Sequence, residues 1–423
     1  MRRILAIFAL TLCLLPAAGQ NWTHDPALEA ALKEDIIRAG NNNYPYHHGD
    51  LRDTPPPAGY KPFYISHYAR HGSRHTWGSD YYVLILDVLH KADSLGILST
   101  GGRAAMEETR QVLDTWGGMD ARLSQRGVRE HTDMGRRMVK RFPAVFRGSP
   151  EIRAIASVSQ RSIISMNAFT TAVSAARPKT RWYLDTGEAL MDYIGATGHR
   201  LPICKELAVP MKEHLWDSPC DSTYILGTLF TDPAEARKLI PSLDRFNKAL
   251  YRTATIAPCW DIEERILPLM QFEYLYRYCA YEASSQYANY GSVEEVDPKR
   301  LDSAHQLADD IVAKADEAIA GGKYAADLRF GHDYPLLALV SYLGVEGPGS
   351  RLPFDEIASR WWCWRELCMG SNLQMIFYRN KAGRVLVKFL YQEQERSLRK
   401  LQSVSGPYYD WETVKANIQG YRR

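Results

Sequence analysis

The sequence predicts an α/β domain interrupted by a mostly helical cap, and three observations predict it. First, strand-like runs alternate with helix-like ones from residue 63 to residue 176, and strand, tight turn, helix is a unit of an α/β sheet. Second, residues 185–320 change character: they are rich in Tyr, Leu, Ala and charge, with few β-branched alternating runs. Third, the α/β pattern returns after 325 and closes on a hairpin. The expected organisation is a core of 20–184 plus 321–423, with 185–320 as an inserted helical cap.

Taken in order, the chain opens on Arg2 and Arg3, an apolar run at 4–15, and the small residues Ala17, Ala18 and Gly19. That pattern is a secretory signal peptide, so 1–19 is expected to be removed near Gly19 and the protein exported. No second apolar run of about 18 residues follows, so no membrane span is expected. Without Arg2 and Arg3, 50 basic residues face 49 acidic ones. A balance that near to zero gives no global pull toward nucleic acid or a membrane surface, and any anion binding must come from local clustering. The chain is 45% hydrophobic and 24% charged, which allows a sizeable core.

Residues 20–61 are polar and Pro-rich, an extended lead-in. A strand at 63–68 and a helix at 80–98 follow. Ser124 is an N-cap candidate for a helix to about 142, with Val128, His131, Gly135, Met138, Val139 and Phe142 on one face. Alternation predicts a buried strand over 152–158. Ser159 is placed to cap a helix over 160–176, which stops before Pro178. The cap shows broken helical patterns at 234–239, 262–284 and 300–320. A short strand at 327–330 and a helix at about 334–343 come next. Two alternating runs flank Asn380-Lys381-Ala382-Gly383, a β-hairpin.

Loss of the leader also removes Cys13 and leaves Cys204, Cys220, Cys259, Cys279, Cys363 and Cys368. An even count in an exported chain is compatible with disulfides, whose pairing the sequence leaves open. Cys363 and Cys368 also have a spacing that zinc could use, but no second Cys/His pair at ligand spacing accompanies them, so no metal is expected.

In an open α/β sheet, ligands bind outside the carboxyl ends of the strands. Here the first strand ends in Arg70-His71-Gly72-Ser73-Arg74, the second in Gln160-Arg161, and the third in His332-Asp333. Three guanidiniums, two imidazoles and one carboxylate suit phosphoryl transfer. Arginine forks bind phosphate oxygens, and three of them match the charge of a transferring phosphoryl group. Gly72 would let backbone approach the anion. A neutral histidine could attack phosphorus, and Asp333 could protonate the leaving oxygen. Nearby arginines would keep the histidine neutral. Singly, each residue has an ordinary reading as a surface arginine, a bonded histidine or a helix cap. Their joint arrival at three strand ends weakens those readings. His75 is left unexplained, at the pocket mouth or on the surface.

These motifs resemble those of the histidine phosphatases. Arg70-His71-Gly72-Ser73-Arg74 is similar to their RHGxR signature. Gly331-His332-Asp333 is similar to the HD motif of the second branch, which holds acid phosphatases, phytases and multiple inositol-polyphosphate phosphatases. The segment 123–142, the segment around Arg161 and the hairpin at 372–393 are similar too. The resemblance implies a phosphoglycerate-mutase-like three-layer α/β/α core. It implies His71 as phosphorylated nucleophile, Asp333 as proton donor, and Arg70, Arg74, Arg161 and His332 as phosphate ligands. It implies no cofactor.

The expected activity is phosphomonoester hydrolysis on small organic phosphates or inositol phosphates, with an acidic optimum because Asp333 must be protonated. A dedicated phytase or inositol-polyphosphate phosphatase is the first alternative, and a non-catalytic binder of phosphorylated ligands the second. The sequence departs from the branch at Tyr334-Pro335, where phytases often carry Thr-Asn, and in having His-Asp where inositol-polyphosphate phosphatases usually have His-Ala-Glu. Specificity is expected to come from the cap, where Lys205, Lys212 and His214 could meet further phosphates. The expected partner is a small phosphate ester, with no nucleic acid; the oligomeric state is not legible.

Overall fold

The computed structural model describes residues 25–194, 207 and 220–420. The expected leader at 1–19 lies outside them, as do Cys204, Lys205, Lys212 and His214. No helix of the described residues is long and apolar enough to cross a membrane.

The strands are β1 (Lys61–Arg70), β2 (Glu151–Ala156), β3 (Arg181–Thr186), β4 (Ser292–Val293), β5 (Tyr324–Gly331), β6 (Arg351–Leu352), β7 (Asn372–Arg379), β8 (Val385–Tyr391), β9 (Gln394–Arg396) and β10 (Tyr408–Asp410). One sheet runs in the order β10-β8-β7-β1-β5-β2-β3, with β9 beside β8; β4 and β6 pair separately. The β1, β5, β2 and β3 half is parallel, and β7, β8, β9 and β10 add to it antiparallel. The strand that ends in the His332-Asp333 motif therefore lies between the other two motif-bearing strands.

Alternation along β1 explains the layers. Ile65 and Ala69 face a cluster with Met134, Met138, Met166 and Phe169, from the helices Gln125–Arg141 and Gln160–Ala176. Tyr64 and Tyr68 face the other side, with Leu307, Ile311, Leu336 and Val414 from the helices His305–Ile319, Asp333–Leu343 and Trp411–Gly420. Helices thus cover both faces, giving the three-layer α/β/α core that the resemblance implies.

Several helix ends follow from local chemistry. Ser124 caps its helix as expected, its Oγ accepting from the Gly127 amide at 3.0 Å. Ser159 occupies the cap position of the next helix but makes no cap bond; its hydroxyl donates to Ser162 Oγ at 3.0 Å. The helix expected over 80–98 ends at Ser94, just before Gly96 at φ +72°. Pro268 lies in a 3-10 turn, and the helix expected over 262–284 is Phe272–Tyr290 instead. In the hairpin, Gly383 takes φ +81° and its amide donates to Asn380 O at 3.1 Å.

The packing does not divide the chain at 184/185 and 320/321. β3 crosses the first of those points, and the helix His305–Ile319 lies on the core sheet. The helical body beside the core draws on both sides of the first boundary. Leu28, Ile85, Val88 and Leu98 share one apolar cluster with Leu229, Phe246, Leu250 and Leu275. Apolar stripes on helices distant in sequence find one another, and composition along the chain does not register that.

Candidate active site

Register brings the three motifs level. Arg70 lies opposite Gly331, and Ala156 opposite Phe330. Beyond the strands, the His71 amide donates to Gly331 O at 3.0 Å and the Ser157 amide to Phe330 O at 2.9 Å. All six residues expected from sequence gather at this edge.

The loop after Arg70 is pressed against the helix Gln125–Arg141. A Cβ on Gly72 would lie 2.7 Å from both Gly127 Cα and Gly127 O, and one on Gly127 would lie 2.4 Å from Ser73 O. Two glycines are needed for that approach. The Gly72 amide donates to Ser165 Oγ at 3.1 Å. Gly72 therefore serves loop-to-helix contact. The Ser73 amide and hydroxyl both donate to the Glu130 carboxylate, at 2.8 and 2.7 Å.

Arg70 is wholly buried. Its Nη1 donates to Asn42 O at 2.5 Å and to Leu367 O at 2.8 Å, and its Nη2 lies 3.2 Å from Asp333 Oδ2. Arg74 Nη1 donates to His75 O at 2.5 Å. Arg161 Nη2 donates to His332 Nδ1 at 3.5 Å. Because arginine can only donate, that contact makes Nδ1 the acceptor, and His332 Nε2–H then donates to Ser157 Oγ at 2.9 Å. The buried Nε atoms of Arg70, Arg74 and Arg161 have no hydrogen-bond partner among the described residues. Buried cationic donors left over at one spot are what an anion could satisfy.

His71 is buried, its ring 5.5 Å from that of His332. Read as the donor, Nδ1–H bonds Gly72 O at 3.0 Å and leaves the Nε2 lone pair free. Burial, then Arg161, Arg70 and Arg74, holds its pKa well below the ordinary histidine value. Burial and Arg161 push His332 down to about 3. Burial and Arg70 push Arg74 down to about 9, and burial chiefly pushes Arg161 down to about 10. Burial alone would raise the Asp333 carboxyl, but Arg70, His332 and Arg74 together hold it below the usual carboxylate value. The sequence expectation of a protonated Asp333 thus meets an opposing field.

Two neighbours were not legible in the sequence as parts of the site. Asn42, from the 3-10 segment Ile36–Asn43, donates through Nδ2 to Asp333 Oδ2 at 3.0 Å. Its signal was only the polar run of three asparagines, read as lead-in. Trp77 presents its ring to Arg74, whose Cζ lies 5.2 Å from the ring centroid, and to Arg161 at 4.6 Å. His75 is at neither the mouth nor the surface. It is buried, bonded to Tyr82 OH at 3.2 Å and Thr115 Oγ1 at 2.9 Å, with Trp260 4.4 Å away.

Cys220, Cys259, Cys279, Cys363 and Cys368 are all free thiols. Cys363 and Cys368 have separate partners, Glu282 O at 4.0 Å and Ser371 Oγ at 3.4 Å, and no disulfide joins them. No group of three metal-ligating side chains occurs among the described residues.

No protein-family model and no curated protein matches the sequence. Solved structures do match the fold. A multiple inositol polyphosphate phosphatase of Bifidobacterium longum, in complex with inositol hexasulfate, has 16% identity and a TM-score of 0.68 over 90% of this chain and 97% of that one. A phytase from D. castellii has 12% identity and a TM-score of 0.67 over 91% of this chain and 85% of that one. A Hafnia alvei phytase in complex with tartrate has 12% identity and a TM-score of 0.50 over 86% of this chain and 98% of that one. At such identities the likeness is one of fold.

Proposed function

We propose that the chain is an exported phosphomonoesterase of the histidine phosphatase kind, cleaving small phosphate esters through a phosphohistidine on His71. The observation that carries the reading is the state of His71. Burial and the fields of Arg161, Arg70 and Arg74 hold its pKa well below the ordinary histidine value, which favours the neutral ring; its Nδ1 lies 3.0 Å from Gly72 O, and Arg70 carries Asp333 at 3.2 Å. The fold likeness to phosphatases supports it. Export rests on the apolar segment at 4–15.

The arginines supply the positive charge. With both histidines neutral, Arg70, Arg74 and Arg161 outweigh Asp333 by two charges, the complement of a phosphate ester dianion. His71 Nε2 attacks phosphorus, the bond from phosphorus to the ester oxygen breaks, and the leaving oxygen takes a proton from Asp333. Water then attacks the phosphohistidine and gives a proton to the Asp333 carboxylate, and the bond to Nε2 breaks. A bound phosphoryl group draws on the same arginines that depress Asp333, so its arrival raises the carboxyl's pKa. A monoanionic ester brings the required proton with it. The acidic optimum then comes from the substrate's protonation as well as from Asp333.

A second reading, a phytase acting on inositol polyphosphates, is favoured by the names of the structural neighbours. The helical body beside the sheet would set that choice. Purified wild type and His71→Ala, assayed with p-nitrophenyl phosphate, glycerol 2-phosphate and phytate, test both. The expected result is hydrolysis by wild type and a loss of about 10³-fold or more in the variant. Equal turnover by the two overturns the nucleophile, and wild type that binds phosphate but cleaves no ester is a binding protein.

A further inference from the structure

Trp77 is the most exposed large apolar side chain among the described residues, 63% accessible. Exposure alone says nothing, since single apolar side chains on a surface are normal; the position does. This one stands where two features meet. Its ring lies against the guanidiniums of Arg74 and Arg161, 5.2 and 4.6 Å from its centroid, both within cation–π range. It also lines a groove of about 440 Å³ together with Gly78, Asp80, Tyr81, Asp244, Arg245 and Lys248.

We infer that Trp77 is the specificity-determining residue for the alcohol half of the ester, a platform that selects ring-shaped leaving groups over short acyclic ones. A phosphoryl group held by Arg74 and Arg161 lies beside the indole, because those arginines do. The ester oxygen then directs the organic half out of the arginine cluster, toward the groove that Trp77 borders. A flat or cyclic group can lie on the indole face with little loss of freedom, whereas a short flexible one gains little there. The sequence offers a reason for attention too: Trp77 follows the signature loop by three residues.

This inference rests on the phosphatase reading, but it can be tested without turnover. Phenylphosphonate and methylphosphonate carry the same charged head and differ in the organic group, and neither has an ester bond to cleave. Calorimetric titration of wild type, Trp77→Ala and Trp77→Phe gives the ratio of the two affinities. Wild type is expected to prefer phenylphosphonate by about tenfold, Trp77→Ala to lose that preference, and Trp77→Phe to keep most of it. Wild type without the preference, or Trp77→Ala that retains it, overturns the inference. So does an equal weakening of both ligands in Trp77→Ala, which would make Trp77 only a prop for the arginines. Wild type that shows the preference but hydrolyses no ester removes the phosphatase reading alone.

Discussion

Asp333 and Arg70 form an ion pair inside the pocket, with Oδ2 3.2 Å from Nη2. Asp333 is half-buried and Arg70 wholly so. The pairing means that the proton donor of the proposed reaction is held by one of the proposed phosphate ligands, and the two roles cannot be separated electrostatically.

The same oxygen accepts from Asn42 Nδ2 at 3.0 Å, so Asn42 is a positioning residue for the acid. Asn42→Ala keeps the backbone carbonyl that Arg70 uses and removes only the amide. It should lower kcat for glycerol 2-phosphate about tenfold, with a smaller effect on p-nitrophenyl phosphate, whose leaving oxygen needs little help. Equal losses on the two esters would argue against a role through Asp333.

Asp333→Asn removes the proton itself. General acid catalysis contributes about 10²–10⁴-fold, and most where the leaving alkoxide is basic. The variant should lose that much on alkyl esters and far less on nitrophenyl esters. Kinetics on a series of esters of graded leaving-group basicity measures it, and a loss independent of the leaving group would place the acid elsewhere.

Buried histidines make stability fall with acid. Burial, then Arg161, holds His332 at about 3 and His71 also well down; burial holds His67 and His131 at about 3. As pH drops below 6.5 the unfolded chain takes up these protons and the folded chain does not, so folding loses stability across that window. Asp333 acts in the same direction lower down, since its depressed carboxyl stabilises the fold above 3.8 and that gain disappears as pH falls further. The melting temperature should fall from about pH 7 to about pH 4, and less steeply in His332→Asn. Added phosphate, satisfying the arginines, should raise it. A melting temperature that rises with acid would contradict this.

The contact between Gly72 and Gly127 makes a stability prediction. A methyl at Gly127 would meet Ser73 O at 2.4 Å and Ser73 N at 2.8 Å, backbone atoms that cannot swing aside, with the Leu123 side chain at 2.8 Å as well. Gly127→Ala should cost about 1–3 kcal/mol, read from denaturant unfolding, and should displace the loop that carries His71. An unaltered unfolding midpoint would show the loop to be looser than described.

What was legible in the sequence was local or periodic. The helix Gln160–Ala176 and the Ser124 cap come from neighbours within a few residues, and both appear where the pattern placed them. The six candidate residues announced themselves by clustering at strand ends. Asn42 could not, because its contact with Asp333 spans 291 residues and the amide carries no mark of its target. His75 could not either: Thr115 and Trp260 bury it from distant segments. The full membership of the helical body was not legible for the same reason. Leu28 and Ile85 join Phe246 through apolar packing that composition along the chain does not register.

The central claim is a covalent intermediate on His71. The most direct measurement is the stereochemical course at phosphorus, using an ester whose phosphoryl group is chiral by oxygen isotopes and transfer to an alcohol acceptor. Two successive in-line displacements, onto His71 and off it, predict net retention of configuration. Inversion would mean a single displacement by the acceptor, and His71 would then be no nucleophile.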